Sequence, residues 1–218
     1  MSFGLGRGRA LEPGLWGLEQ SDLPPHDDGP LDPHTLFPTT KPSLELEIGS
    51  GKGTFLVQQA SIQPDTNFLG IEWAGEFYRY AADRMRRHQL QNVRMLHGDA
   101  TDFIRFWCAD ACLSVVHLYY SDPWPKKRHH KRRVLQSSSL DHLHRILKPE
   151  GQIHLVTDHF DLWAWYEALA LEKQEIFARE EFRPPESADR GEMVGTNFER
   201  KYQAEERAVR AMTLRRRD

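Results

Sequence analysis

Hydrophobic and polar positions first alternate strictly at Leu44-Glu45-Leu46-Glu47-Ile48, a period of two that predicts a strand with unlike faces. Gly49-Ser50-Gly51-Lys52-Gly53 ends it, and Thr54 opens a helix through about Ala60. Asn67 to Glu72 predicts a second short strand. Between Ala74 and His88 the apolar residues Phe77, Tyr78, Ala81, Ala82 and Met85 recur at helical spacing. Val93 to His97 predicts a third strand, Thr101 to Cys108 a third helix and Ser114 to Tyr119 a fourth strand. Val134 to Leu147 predicts a helix with Leu135, Leu140, Leu143 and Ile146 on its apolar side, stopped by Lys148-Pro149-Glu150-Gly151. Gln152 to Thr157 predicts a fifth strand and Asp161 to Ala178 a Trp-rich helix whose Trp163 and Trp165 belong in the core. Phe177, Phe182 and Pro184-Pro185 suit a connector to a last strand pair. Residues 1–40, rich in Gly, Pro and Asp, show no sustained period and predict a flexible arm, leaving residues 41–218 as one domain.

Strands alternating with helices call for an α/β fold: a Rossmann-like, doubly wound, mostly parallel sheet with helices on both faces. Right-handed crossovers put the loops after the strands along one edge, where such sheets bind ligands. The polar signals fall there: Gly49 to Gly53, Glu72, Asp99, Asp122 and Asp158.

Composition narrows the class. The chain has 218 residues, 39% hydrophobic and 28% charged, a soluble globular balance. No apolar run reaches membrane-spanning length and the first residues lack a secretory signal, so a cytoplasmic address is expected. The net charge is −3, but Lys126-Lys127-Arg128-His129-His130-Lys131-Arg132-Arg133 carries +6, which leaves −9 for the remainder. One basic strip on an acidic body predicts a local contact with a polyanion. Cys108 and Cys112 are expected as buried or idle thiols, since a zinc site needs more soft ligands, and no metal is expected.

The glycines at 49, 51 and 53 allow a turn close beneath a nucleotide, but their Gly-x-Gly-x-Gly spacing departs from the dinucleotide fingerprint. Glu47, Glu72 and Asp99 would repel a pyrophosphate. S-adenosylmethionine, cationic and free of phosphate, fits better: Glu47 for the ammonium end, Glu72 for the ribose, and Asp99 with Ala100 for the adenine. Ahead of the basic strip, Asp122-Pro123-Trp124 combines a carboxylate, a rigid backbone and an aromatic face, which suits gripping a flat heterocycle.

Glu47-Ile48-Gly49-Ser50-Gly51-Lys52-Gly53, Gly70-Ile71-Glu72, Gly98-Asp99-Ala100, Asp122 to Arg133, Thr157-Asp158 and Thr196-Asn197-Phe198-Glu199 together resemble the motifs of the bacterial tRNA (guanine-N7-)-methyltransferases, from about residue 36 to the C-terminus. The resemblance implies a class I methyltransferase domain that transfers methyl from S-adenosylmethionine to N7 of a guanine in the tRNA variable loop, position 46 in the family. It implies a catalytic role for Asp122, donor contacts at Glu47, Glu72, Asp99 and Asp122, and substrate contacts at Lys126, Asp158, Thr196, Asn197, Phe198 and Glu199. The partner expected is tRNA, with no membrane, no obligatory protein partner and a monomeric enzyme. Three departures stand out: Ser121 where the family commonly has proline, Asn197 where it commonly has lysine, and an N-terminal arm without dense arginines.

Rival readings are an amino-methyltransferase acting on adenine or cytosine, a dinucleotide-dependent oxidoreductase, and an RNA-binding module without chemistry. Trp124 following a single proline counts against the first, the glycine spacing against the second, and the intact glycine loop with Asp122 against the third.

Overall fold

The computed structural model describes residues 10–189, 191–196, 198–200 and 208–218. Strands β1 (Gly17–Glu19), β2 (Ser43–Ile48), β3 (Thr66–Glu72), β4 (Val93–His97), β5 (Leu113–Tyr119), β6 (Leu147–Thr157), β7 (Phe177–Glu180) and β8 (Arg210–Arg216) form one sheet in the order β1-β4-β3-β2-β5-β6-β8-β7. Neighbours from β1 to β6 are parallel, while β8 runs antiparallel to both β6 and β7. The helices are α1 (Thr54–Ile62), α2 (Gly75–Arg87), α3 (Ala100–Asp102), α4 (Ser137–Ile146) and α5 (Phe160–Glu172).

The alternation in β2 sorts its side chains between two layers. Leu44, Leu46 and Ile48 join the core shared with Leu140, Leu143 and Ile146 of α4 and Leu162, Tyr166 and Leu169 of α5. The other face is covered by Phe55, Leu56 and Val57 of α1 with Tyr78, Ala81, Ala82 and Met85 of α2. Glu45 and Glu47 share that second face. Glu45 accepts from His117 Nε2 at 2.8 Å, and His117 Nδ1 meets Tyr119 Oη at 2.7 Å, so this acid is paired under α1.

Several elements differ from the expected pattern. The third helix is one turn, α3, continued by a wider π-helical turn at Phe103–Trp107, which buries Phe103 and Ile104. The fourth helix starts at Ser137 because Gln136 is extended and its side chain is tied to the preceding loop. The Trp-rich helix ends at Glu172, and Phe177 and Ala178 instead enter β7. Trp163 and Trp165 are half-buried against the core as expected.

Within the predicted arm, residues 10–40 hold to the sheet. Gly17–Glu19 pairs in parallel with Met95–His97, and Trp16 Nε1 donates to Leu90 O at 2.7 Å. Trp107 Nε1 donates to Pro24 O at 2.8 Å, and Leu31 bridges Cys108. A three-residue strand is too short to show a period, so nothing local announces it.

Candidate active site

The chain order reverses between β2 and β5, and there the carboxyl ends of the parallel strands open a crevice. Glu47, Glu72 and Asp99 end or follow three adjacent strands, β2, β3 and β4; Asp122 follows β5 and Asp158 follows β6. The carboxylates expected from the sequence therefore gather on one rim.

Glu47 is buried at 4% exposure and its Oε2 has no hydrogen-bond partner. Burial, reinforced by the charge of Glu72, pushes its carboxyl up to about 8 even though Ser50 acts in the opposite sense. Ser50 Oγ itself donates to the Glu47 backbone carbonyl at 3.2 Å. The next turn is left-handed at Gly51 and Gly53, with φ of 52° and 65°. A Cβ at Gly51 would meet nothing within 4 Å, so the backbone conformation is what demands glycine there; at Gly53 a Cβ would also collide with Met85 Cε. Gly49, likewise at positive φ, takes Ile71 O as acceptor for its N–H at 2.8 Å.

Glu72 is tied to this turn. Its Oε2 accepts from Gly51 N and its Oε1 from Ala74 N, both at 2.8 Å. Asp99 caps α3, with Oδ1 accepting from Thr101 N at 2.7 Å and Asp102 N at 3.3 Å, and Ala100 packs against the core beside it. Its own N–H donates to Gln20 Oε1 at 2.7 Å, and the Gln20 side chain fills the space a Cβ at Gly98 would need. Gln20 lies in the segment without a period, and no sequence signal marks it.

An orphaned, buried carboxylate oxygen beside a turn of open backbone suits a ligand that brings a cationic donor group. S-adenosylmethionine meets that requirement through its ammonium, with Glu72 and Asp99 on the neighbouring strand ends. Among the described residues, no cluster of three or more His, Cys, Asp or Glu is arranged to hold a metal, and Cys108 and Cys112 are free and buried.

Asp122 is exposed in a turn whose flanks, Tyr120 at φ 51° and Trp124 at φ 42°, are left-handed. Bulky residues rarely adopt that conformation unless the surroundings impose it. Trp124 is half-buried, with the Arg132 guanidinium 5.0 Å over its ring and His129 edge-on at 5.9 Å, so it braces the loop. Ser121, at the position of the first departure, gives its Oγ to a 2.9 Å hydrogen bond with the buried Tyr166 hydroxyl. That bond supplies a side-chain anchor where a proline would have stiffened the backbone. Lys126, Lys127, Arg128, Lys131 and Arg132 are exposed; Arg133 is not. The basic strip therefore presents five of its six cations to solvent.

Asp158 and Glu199 both face Tyr120, whose hydroxyl is pushed far up by burial and then by these two carboxylates. Thr196 and Glu199 hold a turn together: Glu199 N donates to Thr196 Oγ1 at 3.1 Å, while the Glu199 carboxylate accepts from Val194 N at 2.8 Å, Gly195 N at 2.9 Å and Met193 N. Phe198 is exposed at 42%, and Asn197 lies outside the described residues. Tyr120, with no hydrogen-bond partner for its hydroxyl, is a site residue the sequence did not reveal.

A family model described as "Putative methyltransferase" matches residues 41–212. A protein named tRNA (guanine-N(7)-)-methyltransferase in Halorhodospira halophila is 37% identical over 174 residues, 80% of this chain and 72% of that one. The chain belongs to this methyltransferase family. Proteins of the same name in Nitrobacter hamburgensis and Geobacillus thermodenitrificans are 36% and 43% identical, over 75% and 58% of this chain and 66% and 57% of theirs. The matched stretch thus spans about three-fifths of the length of many of these relatives. Among solved structures, an aminoglycoside resistance methyltransferase superposes with a TM-score of 0.59 at 16% identity, covering 82% of this chain and 89% of that one. A SAM dependent methyltransferase from Aquifex aeolicus gives 0.51 at 14% identity, with 81% and 82% covered. At such identity they show the fold alone, a class I methyltransferase sheet. No helix among the described residues is long and apolar enough to cross a membrane.

Proposed function

We propose that the protein transfers the methyl group of S-adenosylmethionine to N7 of a guanine in the variable loop of tRNA, position 46. The observation that carries this reading is the gathering of Glu47, Glu72, Asp99 and Asp122 on one rim beside five exposed cations. The donor supplies an electrophilic methyl on positive sulfur. Glu47, the glycine turn, Glu72 and Asp99 with Ala100 hold it in the crevice.

Guanine N7 has a free lone pair, so the protein needs no base. Its task is to align the base with the methyl and to exclude water, an effect worth on the order of 10 kcal/mol when alignment is complete. Positive charge moves onto the purine, and Asp122 is placed to stabilise it as the carboxylate loses its water. Asp158, Thr196 and Phe198 flank the base-binding side, while Glu199 holds the turn that carries Thr196 and Phe198. Lys126 and the exposed cations after it take the flanking phosphates. A cytoplasmic site of action follows from the tRNA substrate.

Incubation with bulk unmodified tRNA and labelled donor should place the label at a single guanine, read by strand cleavage selective for 7-methylguanosine. Label on an adenine or cytosine amino group, or no label, would reject the reading. Salt supplies a second expectation. Neutralising Lys126, Lys127, Arg128, Lys131 and Arg132 together should flatten the dependence of log K for tRNA on log salt by roughly 3 to 4 units, less if some touch no phosphate. An unchanged slope in a filter-binding titration would remove the strip from the RNA contact.

A further inference from the structure

Arg133 closes the basic strip in sequence but turns away from it in space. It is 3% exposed, and its guanidinium lies 5.2 Å over the Trp165 ring. Nε donates to Pro123 O at 2.9 Å, and Nη2 donates to His130 Nε2 at 3.2 Å, since a guanidinium has no acceptor to offer. Trp165 is itself pinned, its Nε1 donating to Leu135 O at 2.8 Å. Gln136 Nε2 closes the far side of the loop by donating to His130 O at 2.8 Å and Arg133 O at 2.9 Å.

A buried cation is costly, and this one directs its donors to a backbone carbonyl and an imidazole rather than to a carboxylate. The carbonyl is the one immediately after Asp122, in the turn whose flanks hold left-handed backbone at Tyr120 and Trp124. We propose that Arg133 is a positioning residue, which clamps the Asp122-Pro123-Trp124 turn onto Trp165 of α5 and takes no part in binding phosphate. The planar fork does two tasks at once, stacking on the indole while reaching the carbonyl. A lysine in its place supplies charge without that geometry.

The kinetic consequence rests on the methyl transfer proposed above, whereas the rigidity of the loop can be measured without it. Arg133→Ala and Arg133→Lys should each lower kcat on the order of a hundred-fold through misplacement of Asp122. KM for tRNA and its salt slope should stay at the wild-type value. The comparison variant Lys131→Ala should reduce that slope by about 0.7 to 0.9. Tryptic cleavage within residues 126–132 should accelerate several-fold in both Arg133 variants, at a temperature where circular dichroism shows them folded. Should Arg133→Ala fail to fold, Arg133→Lys carries the comparison. A slope change in the Arg133 variants equal to that of Lys131→Ala overturns the proposal, as does wild-type loop cleavage together with wild-type kcat. If the wild-type protein methylates no tRNA, the activity reading fails alone and the cleavage rates decide the clamp.

Discussion

Asp122→Asn is expected to lower kcat for methyl transfer to tRNA by about two to three orders of magnitude, the range seen when one preorganised electrostatic partner is removed from a water-excluded site. The substitution keeps the shape of the side chain and removes only its charge. Because N7 carries no proton to be abstracted, the loss reports stabilisation of the cationic purine rather than base catalysis. Asp122 is exposed without substrate, so its charge acts at low strength until the base covers it. Single-turnover rates with both substrates saturating give the measurement. A rate within tenfold of wild type would move the catalytic role off this carboxylate. The clamp by Arg133 and the Ser121–Tyr166 bond would then serve only the shape of the loop.

Glu47→Gln should change stability and donor binding in opposite directions. Burial raises the Glu47 carboxyl from 4.5 to about 8 in the folded chain. The unfolded chain ionises first, so between these two values the native state holds a proton the unfolded state has lost. Stability must therefore fall as pH rises from about 4.5 to 8, and level off above. The full linkage is at most about 5 kcal/mol, since relaxation and water entry lessen it. The glutamine variant lacks that slope and should melt roughly 10 °C above wild type at pH 8 in the absence of donor. It should also bind S-adenosylmethionine about ten- to a hundred-fold more weakly, having lost a charge-assisted contact to the ammonium. In the wild type, donor binding near pH 6 should release a proton as the carboxyl ionises against the cation. Melting curves across pH, with calorimetry in buffers of different ionisation enthalpy, read both effects. A wild-type melting temperature flat from pH 5 to 8 would place an ionised carboxylate at Glu47 and end this account.

The central framework was legible in the sequence because it is written in local periods. The alternation through Leu44 to Ile48, the glycine turn, and the helical stripe of Phe77 to Met85 each arise from neighbouring residues on one element, and they recur in β2, the left-handed turn and α2. The positions of Glu47, Glu72, Asp99, Asp122 and Asp158 followed, since parallel strands with right-handed crossovers leave their carboxyl ends on one edge.

What tertiary structure decided depends on residues far apart in the chain. β1 exists because three residues near the N-terminus find the free edge of β4, and β7 because Phe177 finds Arg216; such short strands take their stability from pairing, not from any period. The bonds of Asp99 and Glu199 to backbone amides are satisfied within local turns, but only the fold brings Gln20 to Asp99 and Tyr120 to Glu199. The sharpest case is Arg133. In sequence it is one of six cations; burial over Trp165 makes it a structural group, because in the low-dielectric interior its Nε and Nη2 are turned toward two fixed acceptors, Pro123 O and His130 Nε2. Composition assigned the charge, and the fold assigned its direction.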